Sequence, residues 1–394
     1  MKDLKLNCSL LGQLIPSSTL AISSKAKLLK RQGVDVCSMS AGEPDFDTPQ
    51  VIKNACIEAL ANGKTRYVTS SGLMELKEEI VKKLGKNGVS CTVENVVVTT
   101  GAKFAIFCAV CALCGSGDEV IIIAPYWLSY LQMIKASGAK AVVVRSVPEN
   151  NYLPKAEEIE AKITPRTKLI IVNSPNNPTG AVYDKTTLQM IAQIAVKHNL
   201  MILSDEIYEK LIYSEEKRHI SIASLGKEVA ERTITINGFS KAYAMTGWRL
   251  GYLSAPAWLI QRVSALQSQA TSNATSFVQY AGICALRGDA DNEVNEMITS
   301  FSERRKLLCR LLREISGLKF FEPSGAFYVL CNISEFGLTA DEFSHRLLDE
   351  KKLAVIPGTD FGAPESIRLS YACSEENIKE AVARLKSFCE GVIP

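Results

Sequence analysis

Thr233-Ile-Thr-Ile-Asn-Gly-Phe-Ser-Lys-Ala-Tyr-Ala-Met-Thr-Gly-Trp-Arg-Leu-Gly-Tyr252 is the stretch that decides how the rest of the chain is read. The alternating β-branched run at 233–236 predicts a strand, and Asn237-Gly238 predicts the turn that ends it. Lys241 follows among small, mostly uncharged residues. Arg249 comes eight positions later, between Trp248 and Leu250. A lysine in such a turn is partly desolvated, which lowers its pKa and frees its amine to attack a carbonyl. The plain alternative is a solvated surface lysine on a strand-to-helix loop.

Working outward, apolar β-branched runs at 95–99, 120–124, 141–144, 168–172 and 201–204 precede that strand, and helical patterns such as 187–198 separate most of them. Near-continuous apolar strands linked by helices predict an α/β fold with a mostly parallel sheet covered on both faces. In such sheets ligands bind beyond the carboxyl ends of the strands. Ahead of them lie a helical pattern at 24–32, a Gly/Pro/Asp loop at 40–49, and helices at 50–62 and 74–84. After them come a long helix at 293–315, short strands at 327–332 and 366–371, and helices at 340–349 and 374–389. This predicts a large domain over 47–290. A smaller, discontinuous α+β domain combines 1–46 with 291–394.

Composition narrows the function classes. The 394 residues are 47% hydrophobic and 22% charged, with a net charge of +3 from dispersed Lys and Arg. Nothing there favours nucleic acid or an anionic membrane as a partner. Residues 1–8 lack the apolar core of a signal peptide, and no apolar run approaches the roughly 20 residues a membrane span requires. Twelve scattered cysteines without a secretory signal point to a reducing cytoplasm. Cys108, Cys111 and Cys114 recur every third residue, but in an apolar helix with no fourth ligand near. They read as one face of a buried helix, and no metal site is expected.

The polar residues just past each strand form a set. Gly101-Ala102-Lys103 opens a helix whose N-terminal N–H groups suit a phosphate, although many strand-to-helix turns look alike. Pro125-Tyr126-Trp127 offers an aromatic that either stacks on a flat ring or fills the core. Two prolines, one glycine and three asparagines in 173–180 predict a rigid, hydrogen-bonding loop. Asp205 ends a buried strand and requires a partner, with Tyr208 three residues on. Together with Lys241 and Arg249, these groups describe pyridoxal phosphate. The lysine forms a Schiff base, the acid keeps the pyridinium nitrogen protonated, and the phenol and an asparagine bind the ring's 3-oxygen.

The assembled motifs resemble the fold-type I pyridoxal-phosphate aminotransferases of class I, nearest the bacterial and archaeal branch of aspartate aminotransferases. They are Ala-Gly-Glu-Pro-Asp-Phe at 41–46, Pro-Tyr-Trp at 125–127, Asn-Asn-Pro-Thr-Gly at 176–180, Ser-Asp-Glu-Ile-Tyr at 204–208, Ser-Lys-Ala-Tyr-Ala-Met-Thr-Gly-Trp-Arg at 240–249, and Arg-Leu-Ser-Tyr at 368–371. The resemblance implies a seven-stranded sheet sandwiched by helices. It implies a homodimer with shared active sites and a ping-pong exchange of aspartate and 2-oxoglutarate for oxaloacetate and glutamate through a pyridoxamine phosphate form.

By the same resemblance Lys241 is the Schiff-base lysine and proton carrier, and Asp205 pairs with the pyridinium. Tyr208 and Asn177 bind the 3-oxygen, and Trp127 stacks on the ring. Gly101, Ala102, Lys103, Ser240 and Arg249 belong to the cofactor site, joined by Tyr67 from the neighbouring subunit. Arg368 clamps the α-carboxylate beside the Gly42 backbone, with Asn177 and Trp127 at the substrate. Read alone, Arg368 would be a strand-edge arginine.

Two features bear on substrate. No arginine occurs in 263–286, where another branch draws its distal-carboxylate arginine, so Lys103 is the expected partner of that carboxylate. Relatives that take prephenate carry a lysine near the position of Ile15 here, which argues against prephenate as a main substrate. Ser17 and Thr19 are candidates for the side-chain pocket. A broad-range, aromatic or alanine aminotransferase is the alternative. A cofactor-binding transcription regulator fits less well, because the 40 residues before Ala41 leave no space for a winged-helix domain.

Overall fold

The β-branched runs become strands and the amphipathic stretches between them become helices. The structure, a computed structural model, describes residue 14 and residues 18–213 and 218–392. The chain begins with α1 (Ser18–Arg31), β1 (Cys37–Ser38), α2 (Gln50–Ala61), α3 (Met74–Lys86), β2 (Val96–Thr99), α4 (Ala102–Leu113), β3 (Glu119–Ala124), α5 (Ser129–Ser137) and β4 (Lys140–Arg145). It continues through α6 (Ala156–Glu160), β5 (Thr167–Asn173), α7 (Lys185–Lys197), β6 (Met201–Asp205), α8 (Lys227–Ala230), β7 (Thr233–Gly238), β8 (Gly251–Ser254), α9 (Ala257–Ala270) and α10 (Ser276–Arg287). Last come α11 (Asp291–Leu312), β9 (Lys319–Phe320), β10 (Tyr328–Asn332), α12 (Ala340–Lys351), β11 (Leu353–Ala354), β12 (Ile356–Pro357), β13 (Ser366–Ser370) and α13 (Glu375–Val392).

Seven strands form one sheet in the order β2-β8-β7-β6-β5-β3-β4. Strands β7, β6, β5, β3 and β4 pair in parallel, whereas β8 runs antiparallel to both β7 and β2. Successive residues of a strand face opposite sides. Val120 and Ile122 enter one apolar cluster, Ile121 and Ile123 another. Both faces are covered, which is why these runs are apolar throughout instead of alternating.

Two local expectations are corrected. Helix α1 begins at Ser18, ahead of the pattern at 24–32. Ile22 and Ala26, one turn apart, are buried beside Val36, Leu348 and Ile356, and this packing outweighs the weak helix propensity of Ser23 and Ser24. Asn237-Gly238 does not turn the chain: β7 runs on to Gly238, which pairs with Gly251 of β8. A Cβ on Gly251 would stand 2.3 Å from the Ala102 nitrogen, and one on Gly238 would stand 3.1 Å from the Gly251 Cα. These glycines let β7, β8 and the start of α4 approach closely, and the turn lies between them, at 239–250.

A second sheet, β12-β13-β10-β9, is antiparallel. Arg368 sits on β13 between β12 and β10, so it is an interior residue of this sheet, contrary to its isolated reading. Strand β1 pairs in parallel with β11, tying the N-terminal segment to the C-terminal elements. From β1 the chain crosses over the carboxyl ends of the large sheet. Thr48 Oγ1 donates to the Ala244 carbonyl at 2.7 Å, and Arg304 of α11 pairs with Asp45 at 2.7 Å.

The Gly251 contact generates a prediction. Gly251→Ala overpacks the β8–α4 junction and is expected to lower stability by about 1–3 kcal/mol in urea denaturation. Unchanged stability would show that the junction has slack.

Candidate active site

The carboxyl ends of β2, β5, β6 and β7 open on a cavity of about 420 Å³, roofed by the 40–48 segment and by β10 and β13. Gly42, Ala102, Lys103, Trp127, Asn177, Asp205, Tyr208, Ser240, Lys241, Arg249 and Arg368, all expected from sequence, line it. Tyr67 does not: it is 88% exposed on the surface of the chain. Ser17 and the side chain of Thr19 lie outside the described residues, as do residues 15 and 16.

Lys241 stands on the turn after β7, half-buried, and its Nζ donates to the Gly42 carbonyl. Burial pushes its pKa down to about 8; Glu43 opposes the shift, and Arg368, Arg249 and Lys103 add to it. No carboxylate pairs with Lys241 among the described residues, so the amine is held without being neutralised.

Asp205 ends β6 and is buried. Its Oδ2 accepts from the Tyr130 hydroxyl at 2.5 Å and its Oδ1 from the Ile207 amide at 3.2 Å. Desolvation pushes its carboxyl up to about 6, while these two donors restrain the rise. Asn173, at the end of β5, donates to the Asp205 carbonyl and accepts from the Asn177 amide, so it positions both neighbours. The Tyr208 hydroxyl shares a 3.0 Å hydrogen bond with Tyr328, and burial raises its phenol well above the ordinary range.

On the opposite wall Arg368 is 2% exposed. Its Nη1 donates to Asn177 Oδ1 at 3.0 Å and its Nη2 to the Ser40 carbonyl at 3.2 Å. Its guanidinium lies over the rings of Tyr328 (4.3 Å) and Phe361 (5.1 Å). Its Nε has no partner, and no carboxylate pairs with it among the described residues. A buried guanidinium without an anion is costly, so this arrangement suits an incoming carboxylate.

Next to Lys241, Gly101 at φ +86° caps α4. A Cβ there would stand 2.6 Å from Arg249 Nη2, so only glycine leaves the guanidinium lying over the helix start. Arg249 Nη1 is oriented by the Thr246 carbonyl at 2.8 Å. A helix N-terminus under a guanidinium is an anion cradle. Trp127 meets Tyr130 edge to face at 5.3 Å, and Lys103 Nζ lies 4.9 Å over the Trp127 ring. Cys108 on α4 and Cys114 at its C-cap are buried, and burial pushes both thiols up to about 12; Cys111 between them is half-buried, so only part of the expected thiol face is buried.

Sequence reasoning missed Tyr130, Asn173, Tyr328 and Phe361. Tyr130 had a faint signal, three residues after Trp127 at a helix start. Tyr328 and Phe361 come from segments late in the chain with no local pattern linking them to the cavity.

A lysine, a buried acid, an anion cradle and a buried arginine at the mouth of a mostly parallel sheet define a group-transfer enzyme acting on a carboxylate. The family model for aminotransferase class I and II matches residues 34–385. The chain is 44% identical over 385 residues to an aspartate aminotransferase of Geobacillus stearothermophilus, covering 96% of this chain and 98% of that one. It is 45% identical over 372 residues to an aspartate/prephenate aminotransferase of Thermus thermophilus, covering 94% and 95%. The structure matches that of an aspartate aminotransferase from Thermus thermophilus solved with maleate, at a TM-score of 0.93 and 43% identity over 96% of this chain and 98% of that one. The chain belongs to the aminotransferase class I and II family.

Asp205 supplies a prediction whose sign follows from its burial. The carboxyl titrates near 6 when folded against an ordinary 3.8, so the folded state holds the proton more tightly. Stability of the ligand-free protein therefore falls as pH rises from about 4 through 6. Asp205→Asn is expected to be more stable than the native chain by about 3 kcal/mol at pH 7.5, and equal to it below about pH 4, in urea denaturation. A variant less stable at pH 7.5 would contradict the desolvation account.

Proposed function

We propose that the chain is a pyridoxal-phosphate-dependent aspartate aminotransferase that exchanges aspartate and 2-oxoglutarate for oxaloacetate and glutamate in two half-reactions. The observation that carries this reading is Arg368, buried and without a carboxylate, facing the same cavity as the half-buried amine of Lys241. The donor set fits the cofactor. Gly101, Ala102, Ser240 and Arg249 would hold its phosphate, Asp205 its ring nitrogen, Tyr208 and Asn177 its 3-oxygen, and Trp127 its flat face. When bound, the cofactor supplies an electrophilic aldehyde and an electron-accepting ring.

The chain's own groups do the rest. With a pKa of about 8, roughly a quarter of the Lys241 amines are neutral at pH 7.5, against about one in a thousand for an ordinary lysine. That amine can attack a carbonyl and can carry a proton to and from a neighbouring carbon. Arg368 and Asn177 fix the α-carboxylate, which sets the orientation of the α C–H bond. Lys103, poised over Trp127, is placed to meet a distal carboxylate.

Relatives named aspartate aminotransferase, and a similar structure solved with the dicarboxylate maleate, support the acidic substrate. Ile106 and Leu128 give the same pocket apolar wall, which favours a broad-range aminotransferase as the second reading. Two domains, 47–290 and 1–46 with 291–394, frame the cleft, a division that the β1–β11 pairing supports. A homodimer would bring the exposed Tyr67 to the partner's phosphate site. The eleven described cysteines are free thiols, which agrees with a cytoplasmic setting.

The purified protein should be yellow, and aspartate should bleach its visible band. Lys241→Ala should reduce turnover by more than about a thousandfold; a variant that still completes many turnovers would sink the assignment. Lys103→Gln should raise KM for aspartate by about tenfold or more while leaving alanine turnover nearly unchanged. Equal effects on kcat/KM across aspartate, alanine and tyrosine would favour the broad-range reading.

A further inference from the structure

The turn after β6 has two working sides. Asp205 and Tyr208 face the cavity, while Glu206 and Glu209 enter a polar knot behind it. Glu206 is 1% exposed. Its carboxylate accepts from Ser204 Oγ at 2.9 Å and Ser221 Oγ at 2.8 Å, and it meets His219 Nε2 at 2.9 Å. Glu209 accepts from Asn87 Nδ2 at 2.8 Å, pairs with Lys83 of α3 at 2.5 Å, and lies 3.7 Å from the same His219 nitrogen. The phenols of Tyr252 and Tyr243 border Glu209 and Lys83.

The carboxylates and imidazole lie within 4.8 Å of one another, a spacing a metal ion could use. Lys83, Asn87 and two serine hydroxyls already engage both carboxylates, so the knot reads as a closed network. With His219 protonated, two cations balance two anions. With a neutral imidazole, one negative charge stays buried beside Asp205, which is unfavourable. The two carboxylates outweigh the desolvation of the ring and hold His219 above its ordinary pKa.

We propose that His219 is a positioning residue for the cavity. Its imidazolium, held between Glu206 and Glu209, pins the turn so that Asp205 and Tyr208 keep their aim. It also screens the Asp205 carboxylate from the Glu206 charge one residue away. This rests on the reading of the cavity as a pyridoxal-phosphate site. Without the imidazolium, Glu206 is uncompensated, and either the turn shifts or the Glu206 field acts on Asp205 and, beyond it, on the cofactor.

The test uses the full-length protein as His219→Gln, which keeps a donor without the charge, and as His219→Lys, which restores the charge. Three quantities are measured: pyridoxal phosphate affinity of the cofactor-free protein, the pH midpoint of the bound cofactor's visible absorbance, and the melting temperature of the cofactor-free protein. His219→Gln should bind the cofactor about tenfold more weakly. Its midpoint should move about half a unit to higher pH, and His219→Lys should move both quantities back toward native. A lowered melting temperature with native affinity and midpoint would overturn the proposal and leave His219 a purely structural role. Failure of the native protein to bind pyridoxal phosphate would instead sink the underlying reading. If His219→Gln does not fold, Ser221→Ala removes one donor to Glu206 and should shift the midpoint in the same direction by less; an unmoved midpoint overturns the proposal.

Discussion

Four cations, Lys103, Lys241, Arg249 and Arg368, face one cavity, and among its lining residues two carboxylates, Asp205 and Glu43, face it with them. Backbone carbonyls hold three of the cations: Gly42 for Lys241, Ser40 for Arg368 and Thr246 for Arg249. A carbonyl orients a cation without neutralising it. The cavity therefore keeps its positive potential for anionic groups, with the donors already aimed. The remaining architecture supplies those carbonyls and donors. The 40–48 segment brings two of the carbonyls, the middle of β13 brings the guanidinium, and the carboxyl ends of the large sheet bring the rest.

Burial acts on the two central ionisable groups in opposite directions. It lowers Lys241 to about 8 and raises Asp205 to about 6, because each charged form loses water. The fold restrains the acid with the Tyr130 hydroxyl and the Ile207 amide but gives the amine only a carbonyl. The acid therefore remains largely ionised near neutral pH while the amine becomes available. Both groups cost folding stability, and the closely packed sheet beneath them offsets that cost.

Much of the site could be read in the sequence, because parallel strands deliver their first polar residue to one edge. Asp205, Asn177, Lys241 and the Ala102-Lys103 turn each follow an apolar run, and each faces the cavity. The seventh strand, β8, was harder to see. It is four residues long and follows an irregular turn, so periodicity gave it no weight. Asn237-Gly238 misled for a related reason. The pair has turn chemistry, but here glycine serves the close approach of two strands and a helix, a demand set by residues far away in the chain. Arg368 misled when read alone, because strand order is not written in a strand.

The sequence by itself determined the mostly parallel sheet, the chemistry at its strand ends and the buried face of α4. Each depends on local periodicity or on a motif of neighbouring residues. Tertiary structure alone decided that Arg368 is interior and unpaired, that Tyr130 and Tyr328 steady Asp205 and Tyr208, and that Glu206, Glu209, Lys83 and His219 close into one network. Those facts depend on burial and on contacts between segments distant in the chain. Desolvation and charge pairing act through space, so they exist only once the chain has folded.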